Sequence, residues 1–418
     1  MRVTICAYDG PNNIDGPTTW MKRLLPFLKE NGVETRLLVI ANQRKKLLNL
    51  QYFLNMGFPC KLIPAELFFE EQIKLILEDI EANPPHIYIP NYFPVAAYAN
   101  YWVKKAGIPS VIVLHNDNDY HHCLVDEFVT GNQDVRVSAV VPVSKLLASK
   151  VEAKQPQNVT VRYIPYGAPV ADTTAYFDGS DKLKLVYLGR LNNHQKRIGE
   201  VTRAFCQATK EIQNTEAVIY GTGDALQEVL TIIKQEGKES AVSYGGALPV
   251  SEVQKHLLQN HVYVLLSDYE GIPIALMEAM GCGLVPICSN IQSGIPELLE
   301  HGKNGLIVND RNHEFIAAVN YLKNNPSKWL ELSSAARSKI KENYSDKVIN
   351  KNWLSLLNEL ACKGRSTGTL TVPSINELKK LTVKKEFLKT ETRMPNAFML
   401  PMVRYRKTLG RLKRDYLI

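Results

Sequence analysis

Short β-branched runs alternate with amphipathic stretches along most of the chain. The pattern predicts strands at Val3–Tyr8, Leu37–Ile40, Ile87–Pro90, Val111–Leu114 and Ala139–Val143. A second series follows at Leu183–Leu188, Ala217–Tyr220, Val242–Tyr244, Val262–Leu266, Val285–Cys288 and Leu306–Val308. Helical periodicity falls between them, at Thr18–Glu30, Glu70–Glu81, Gly199–Gln213, Ala225–Gln235 and Phe315–Lys323. Such alternation predicts parallel sheets with helices on both faces. Leu183–Leu188 lacks polar alternation over most of its length, as a strand buried on both faces should. The pattern breaks once, over 165–182, where Gly167, Pro169, Asp178 and Gly179 mark a linker. Two doubly wound α/β domains are therefore expected, with a ligand in the cleft where strand ends face each other.

Composition narrows the class. The chain has 418 residues, 45% hydrophobic and 22% charged, as in an ordinary folded protein of two or three domains. No stretch approaches the ~18 apolar residues of a membrane span. The first residues show no charged-then-apolar leader, and the seven cysteines contain no C-x-x-C, so reduced thiols in the cytoplasm are expected. The net charge of +8 is unevenly placed. Residues 1–362 carry 36 Lys and Arg against 38 Asp and Glu; residues 363–418 carry 14 against 4. A nucleic-acid enzyme would spread that excess over its working face. Here it is confined to the tail.

Several motifs are weak. Gly221-Thr222-Gly223 follows a strand and opens a helix but lacks the third glycine of a dinucleotide fingerprint. It still permits close approach of backbone to a phosphate. Gly302-Lys303 lacks the rest of a Walker loop and reads as a turn. The cluster from His115 to His122 lies at a strand C-terminus, with Asp117 and Asp119 read as turn formers ahead of metal ligands. His115, directly after the apolar strand, is the working candidate there, with a hydrogen-bonded cleft histidine as the competing reading.

The strongest signal runs from Asp268 to Gly283, directly after the strand Val262–Leu266. Pro273 suits a first helical turn. Glu270 then lies in the loop before the helix, and Glu278 about a turn and a half inside it. A helix N-terminus favours an anion, and two acids near it need donors, for which sugar hydroxyls are suitable. A second signal matches it: Gly189-Arg190-Leu191 after one strand and Lys196-Arg197 before the next helix. Those cations can converge on a diphosphate.

The segment Glu270-Gly271-x-Pro273 to Glu278-Ala279-Met280-x-x-Gly283 resembles the E-x7-E signature of retaining glycosyltransferases of the GT-B fold, family four (glycosyl transferases group 1). The resemblance extends to Asp15-Gly16-Pro17, Val140–Ser144, Val161–Gly167, Gly189-Arg190-Leu191 with Lys196, Gly221-x-Gly223 and Asn304-Gly305-Leu306. It implies two Rossmann-like domains: an acceptor-side domain over 1–167 and a nucleotide-sugar domain over 168–345. A closing helix over 346–362 would cross back to the first domain, and a basic extension would occupy 363–418. Glu278 would hold the ribose, and Glu270, with His115 near it, would face the transferred sugar. Arg190 and Lys196 would bind the diphosphate, with Gly189, Gly221 and Gly223 beside it. Gly16 would let the donor approach, and Gly271, Ile272 and Pro273 would offer backbone amides. Glu297 matches a family acid.

Departures are Tyr166 in place of the Asn of an IPNG segment, an Asp15-Gly16 where Gly-Gly is frequent, and Lys196 one residue farther from Gly189. The implied activity is retaining hexosyl transfer from a UDP- or GDP-sugar to a hydroxyl acceptor, such as a lipid-linked or polysaccharide precursor, with no metal or cofactor. The alternatives are a silent sugar-nucleotide-binding scaffold and a sugar-nucleotide epimerase of the same fold. Acceptor contacts are expected from residues 10–16, 91–95 and 116–123, and base contacts near Tyr244–Leu248. In the tail, 363–373 reads as a linker, 375–390 as a short basic amphipathic helix, and Arg404–Arg414 as cations mixed with Tyr and Leu. A solvated or packed tail competes with attachment to the anionic inner face of a membrane.

Overall fold

A computed structural model describes residues 1–10, 16–42, 46–236, 241–364 and 368–387. It divides into two compact units: residues 1–143, 147–164 and 350 onward, and residues 144–146 with 165–349.

The first unit holds β1 (Arg2–Asp9), β2 (Glu34–Ala41), β3 (Cys60–Pro64), β4 (Ile87–Ile89), β5 (Val111–Leu114), β6 (Ala139–Pro142) and β7 (Thr160–Val161). Four strands pair in the order β3-β2-β1-β4 and three as β5-β6-β7, all parallel. A parallel bridge from Tyr88 to Ser110 joins β4 to β5. The chain therefore reverses direction of winding between β1 and β4, which is where an open α/β sheet offers a ligand crevice. β4, β5 and β6 are buried along their whole length, because helices such as Phe69–Ala82 and Pro94–Lys105 cover the sheet. Trp353, from the helix Asp346–Lys363, packs on Trp20 with ring centroids 5.1 Å apart. The strands β3 and β7 are additions to those the sequence predicted.

The second unit holds β8 (Leu183–Leu188), β9 (Thr215–Tyr220), β10 (Val242–Gly246), β11 (Val262–Leu265), β12 (Val285–Ser289) and β13 (Leu306–Val308). Their order is β10-β9-β8-β11-β12-β13, again all parallel, with the reversal between β8 and β11. All six were predicted in the sequence to within two residues at either end. The stretch 165–182 is not a loose linker. Ala168, Ala171, Ala175 and Phe177 are buried, and backbone N–H groups of Ala168, Ala171 and Ala175 donate to the carbonyls of Tyr344, Gly281 and Cys282. It is a coil strapped onto its own unit.

The tail departs further from expectation. Over the described part of 375–390 the chain forms one helical turn, Ile375–Leu378, started by a capping box between Ser374 and Glu377, and that helix does not continue to Phe387; 388–390 lie outside the described residues. Leu370, Leu378, Val383 and Phe387 are buried in the core of the first unit. Tyr98 donates its hydroxyl to Glu127 Oε1 at 3.0 Å and accepts from the backbone N–H of Lys384 at 3.0 Å. Lys384 Nζ completes the latch 3.4 Å from Glu127 Oε2. Residues 368–387 are therefore a strap of the first unit, not a linker. Arg404–Arg414 lie outside the described residues, as do Asp15 and residues 11–14 of the predicted acceptor loop.

Candidate functional site

The site is built on the two loops that leave β8 and β11 on either side of the reversal. After β8 the chain passes Gly189 and Arg190, where the buried hydroxyl of Tyr187 donates to the Arg190 carbonyl at 2.7 Å. Asn192 then folds its side chain over the loop, and its Oδ1 accepts from the backbone N–H groups of Gln195 and Lys196, both at 3.1 Å. This turn accommodates the extra residue between Gly189 and Lys196. Asn193 Oδ1 accepts from Gly199 N at 2.9 Å and so supplies one of the helix N-terminal donors with a partner. Arg197 takes a left-handed φ of 51° immediately before the helix Ile198–Glu211.

After β11 the loop 267–273 runs alongside the first one, and the two are joined residue by residue. Asp268 N–H donates to the Gln195 carbonyl at 2.9 Å. Gln195 Nε2 donates to the Tyr269 carbonyl at 3.0 Å and to Glu270 Oε2 at 3.3 Å. Lys196 Nζ lies 2.5 Å from Glu270 Oε1. Arg197 Nε lies 2.6 Å from Asp268 Oδ2, and Arg311 pairs with the other oxygen of Asp268. His194 Nδ1 meets the Tyr269 hydroxyl at 2.8 Å. Arg190 joins the group by donating from Nη2 to Gln195 Oε1 at 2.8 Å.

Arg190, Lys196 and Glu270, singled out in the sequence, are thus brought together. Gln195, Asn192 and Asp268 complete the arrangement, although the sequence reading assigned them no role. Their only sequence signal was position in a loop next to a predicted site residue. Glu270 and Glu278 are both buried. Glu278 lies in the helix Ile274–Gly281. Pro273 is the residue before that helix, with ψ at 110°, rather than part of its first turn. The sequence placed it one residue too far in, because a proline suits either side of a helix start. Ile272 is buried, and the Gly271 carbonyl accepts from Gly294 N at 2.7 Å.

Gly221 and Gly223 have a packing reason for lacking side chains. A Cβ on Gly221, whose φ is 142°, would lie 1.8 Å from the Gly189 carbonyl oxygen, and one on Gly223 would lie 2.1 Å from that of Leu191. The backbone after β9 presses directly on the loop that carries Arg190. Glu297 has a geometric role as well: its Oε1 accepts from Lys145 N at 2.6 Å, at the start of the helix Lys145–Ala153.

His115 and Gly16 belong to the first unit. Gly16 begins the helix Gly16–Glu30. His115 is buried among Trp20, Tyr92 and His121, at ring-centroid distances of 5.5, 5.0 and 6.4 Å. Asn91 Nδ2 donates to the Cys6 carbonyl, which turns its Oδ1 toward His115 at 2.7 Å. His115 therefore donates through Nε2. Burial, with a smaller contribution from His121, pushes its pKa well below the usual value, so it is a neutral imidazole. Asp117 is engaged by Lys150 at 2.6 Å and His122 at 2.9 Å, and Asp119 opens the helix Asp119–Phe128. Among the described residues no group of three or more His, Cys, Asp or Glu side chains is placed to hold a metal ion.

Residues 176–341, which include this whole platform, match the family described as glycosyl transferases group 1. That match covers about two fifths of the chain. Among curated relatives, the putative colanic acid biosynthesis glycosyltransferase WcaL of Salmonella typhimurium is 34% identical over 33% of this chain and 36% of its own length. The amylovoran biosynthesis glycosyltransferase AmsK of Erwinia amylovora is 30% identical over 43% of this chain and 45% of its own. The chain thus matches less than half the length of either. Among solved structures, Anabaena Alr3699/HepE in complex with UDP and glucose superposes with a TM-score of 0.68 over 85% of this chain and 99% of that one, at 15% identity. At that identity the likeness establishes the fold: two Rossmann-like units, as in GT-B glycosyltransferases. Arg190, Lys196, Glu270 and Glu278 all fall inside the range that matches glycosyl transferases group 1.

Proposed function

We propose that the chain is a retaining glycosyltransferase that moves a hexosyl unit from a UDP- or GDP-sugar to a hydroxyl acceptor in polysaccharide or glycolipid synthesis. The observation that carries this reading is the cluster at the β8/β11 reversal in which buried Gln195 and Glu270 hold the half-buried Lys196 and the exposed Arg190. It offers two cations for a diphosphate and a carboxylate for sugar hydroxyls, side by side. UDP and glucose in the HepE structure, and the biosynthetic names of the curated relatives, support the substrate class.

In the proposed reaction the bond between the anomeric carbon and the β-phosphate oxygen breaks, and the acceptor oxygen bonds to the same face of that carbon. The acceptor proton passes to the leaving phosphate oxygen. Arg190, Lys196 and the N-terminus of the helix Ile274–Gly281 stabilise the developing charge. Glu270 holds the sugar, Glu278 the ribose, and the backbone N–H groups of Gly271 and Ile272 contribute donors, Pro273 having none. Fixed cations do here what a divalent ion does elsewhere, so chelation should leave turnover unchanged. The test is incubation of the purified chain with a panel of nucleotide sugars and candidate acceptors. Nucleotide release that disappears in Glu278→Ala and Lys196→Ala supports the reading; failure to bind or turn over any donor ends it.

A further inference from the structure

We propose that Gln195 is a positioning residue that aims the Arg190 guanidinium at the donor diphosphate, a role that rests on the donor-site reading above. Gln195 is buried, and every polar group of the residue is used. Its backbone N–H is held by Asn192 Oδ1 and its carbonyl by Asp268 N–H. Its Nε2 is anchored on the second loop by the Tyr269 carbonyl and Glu270. Only Oε1 is left, and it accepts from Arg190 Nη2 at 2.8 Å. The amide orientation is fixed by chemistry, since Arg190 can only donate and the Tyr269 carbonyl can only accept.

This arrangement solves a problem that Arg190 poses. A long side chain at the exit of a strand has rotamer entropy to lose before it can fix a phosphate. Gln195 holds it before the donor arrives, and does so from a loop that is itself locked by the pairing of 194–197 with 268–270. The Arg190 carbonyl is fixed too, by the Tyr187 hydroxyl. A guanidinium has five N–H donors, so one bond to Gln195 leaves others for phosphate oxygens.

The test uses the full chain, with UDP and GDP as calorimetric probes and the preferred nucleotide sugar for kinetics. Gln195→Met keeps the volume and removes the acceptor; diphosphate affinity should fall about tenfold and donor KM should rise by a similar factor. In an Arg190→Met background the same change should have less than a twofold effect, because Gln195 acts through Arg190. Gln195→Asn keeps an amide on a side chain one methylene too short to reach Arg190; its loss should likewise shrink to less than twofold in the Arg190→Met background, which serves if the Met variant does not fold. A merely structural role would give additive losses in the double variants, and that outcome overturns the proposal. A parent chain that binds neither nucleotide overturns the donor-site reading and this inference together.

Discussion

Lys196 Nζ lies 2.5 Å from Glu270 Oε1, and the two side chains are only 12% and 6% exposed. A pair this sheltered is costly to break from one side, because the survivor keeps its charge without a partner; the typical loss is about 3–5 kcal/mol. Lys196→Met should therefore lower the unfolding midpoint as well as donor turnover. Adding Glu270→Gln removes the stranded charge and should restore much of the midpoint while turnover stays low. Thermal melts of the single and double variants check this, and a single variant as stable as the parent would contradict the pairing.

The glycines after β9 give a contrast between two substitutions that look alike on paper. Gly221→Ala would put a methyl 1.8 Å from the Gly189 carbonyl oxygen, and a backbone atom cannot rotate away. Gly246 has a φ of 86° but nothing within 4 Å of a new Cβ. Gly246→Ala should cost only the left-handed penalty of about 1–2 kcal/mol. Gly221→Ala should cost more and also weaken donor binding, since Gly189 precedes Arg190. Urea midpoints and UDP or GDP titration of both variants separate the two effects.

Much of this was legible in the sequence, and the exceptions share a cause. Strands such as Val111–Leu114 and Leu183–Leu188 announce themselves as apolar runs, and the structure reproduces both ends of each. Arg190, Lys196 and Glu270 stood out as charges at strand exits. Gln195 did not, because an uncharged loop residue gains its meaning only from Glu270, 75 positions away. The short edge strand β7 has two residues and no pattern to detect. The strap 368–387 was misread because its buried residues, Leu370, Leu378, Val383 and Phe387, follow neither a helical nor a strand period. They fill a groove with little regular structure, and periodicity is blind to that.

Acid should destabilise the first unit through its buried histidines. His121 is neutral in the fold, its pKa pushed by burial and by the neighbouring His122 down to about 4, while an unfolded histidine titrates near 6.5. The unfolded chain therefore takes up protons first as pH falls. The stability at stake is present above about 6.5 and is lost on the way to 4, on the order of 2 kcal/mol at pH 5 for His121 alone. His115 shifts in the same direction. Urea unfolding at pH 7.5 and pH 5 measures the loss, and His121→Phe should reduce it by about the His121 share. An unchanged pH dependence in that variant would rule out the assignment.

Phe387 stacks on Phe128 with centroids 5.8 Å apart and meets Tyr98 and Tyr120 edge-on. It is buried at the end of the described strap. Phe387→Ala should cost about 3–5 kcal/mol, as for a core aromatic. Lys384→Met should cost less, since that side chain is about a third exposed. Melting of the two variants checks the order; a Phe387→Ala chain that melts with the parent would show that the strap contributes nothing.

The strap also changes where the tail's charge is to be sought. Residues 368–387 are part of the first unit's core, so the excess falls mainly on 388–418, with eight Lys and Arg against two acids. Cations there alternate with Leu, Met, Tyr and Phe, a mixture suited to an anionic lipid surface, where each cation contributes about 1 kcal/mol. An acceptor carried on a lipid would give such attachment a purpose. We therefore propose that the full chain partitions onto vesicles of phosphatidylcholine with phosphatidylglycerol, and much less onto phosphatidylcholine alone. Binding should weaken steeply with salt, because exposed charges are screened over about 10 Å at 0.1 M. A chain ending at Phe387 should keep donor binding and lose the vesicles. Partitioning that ignores both salt and the truncation would rule out lipid attachment through this segment.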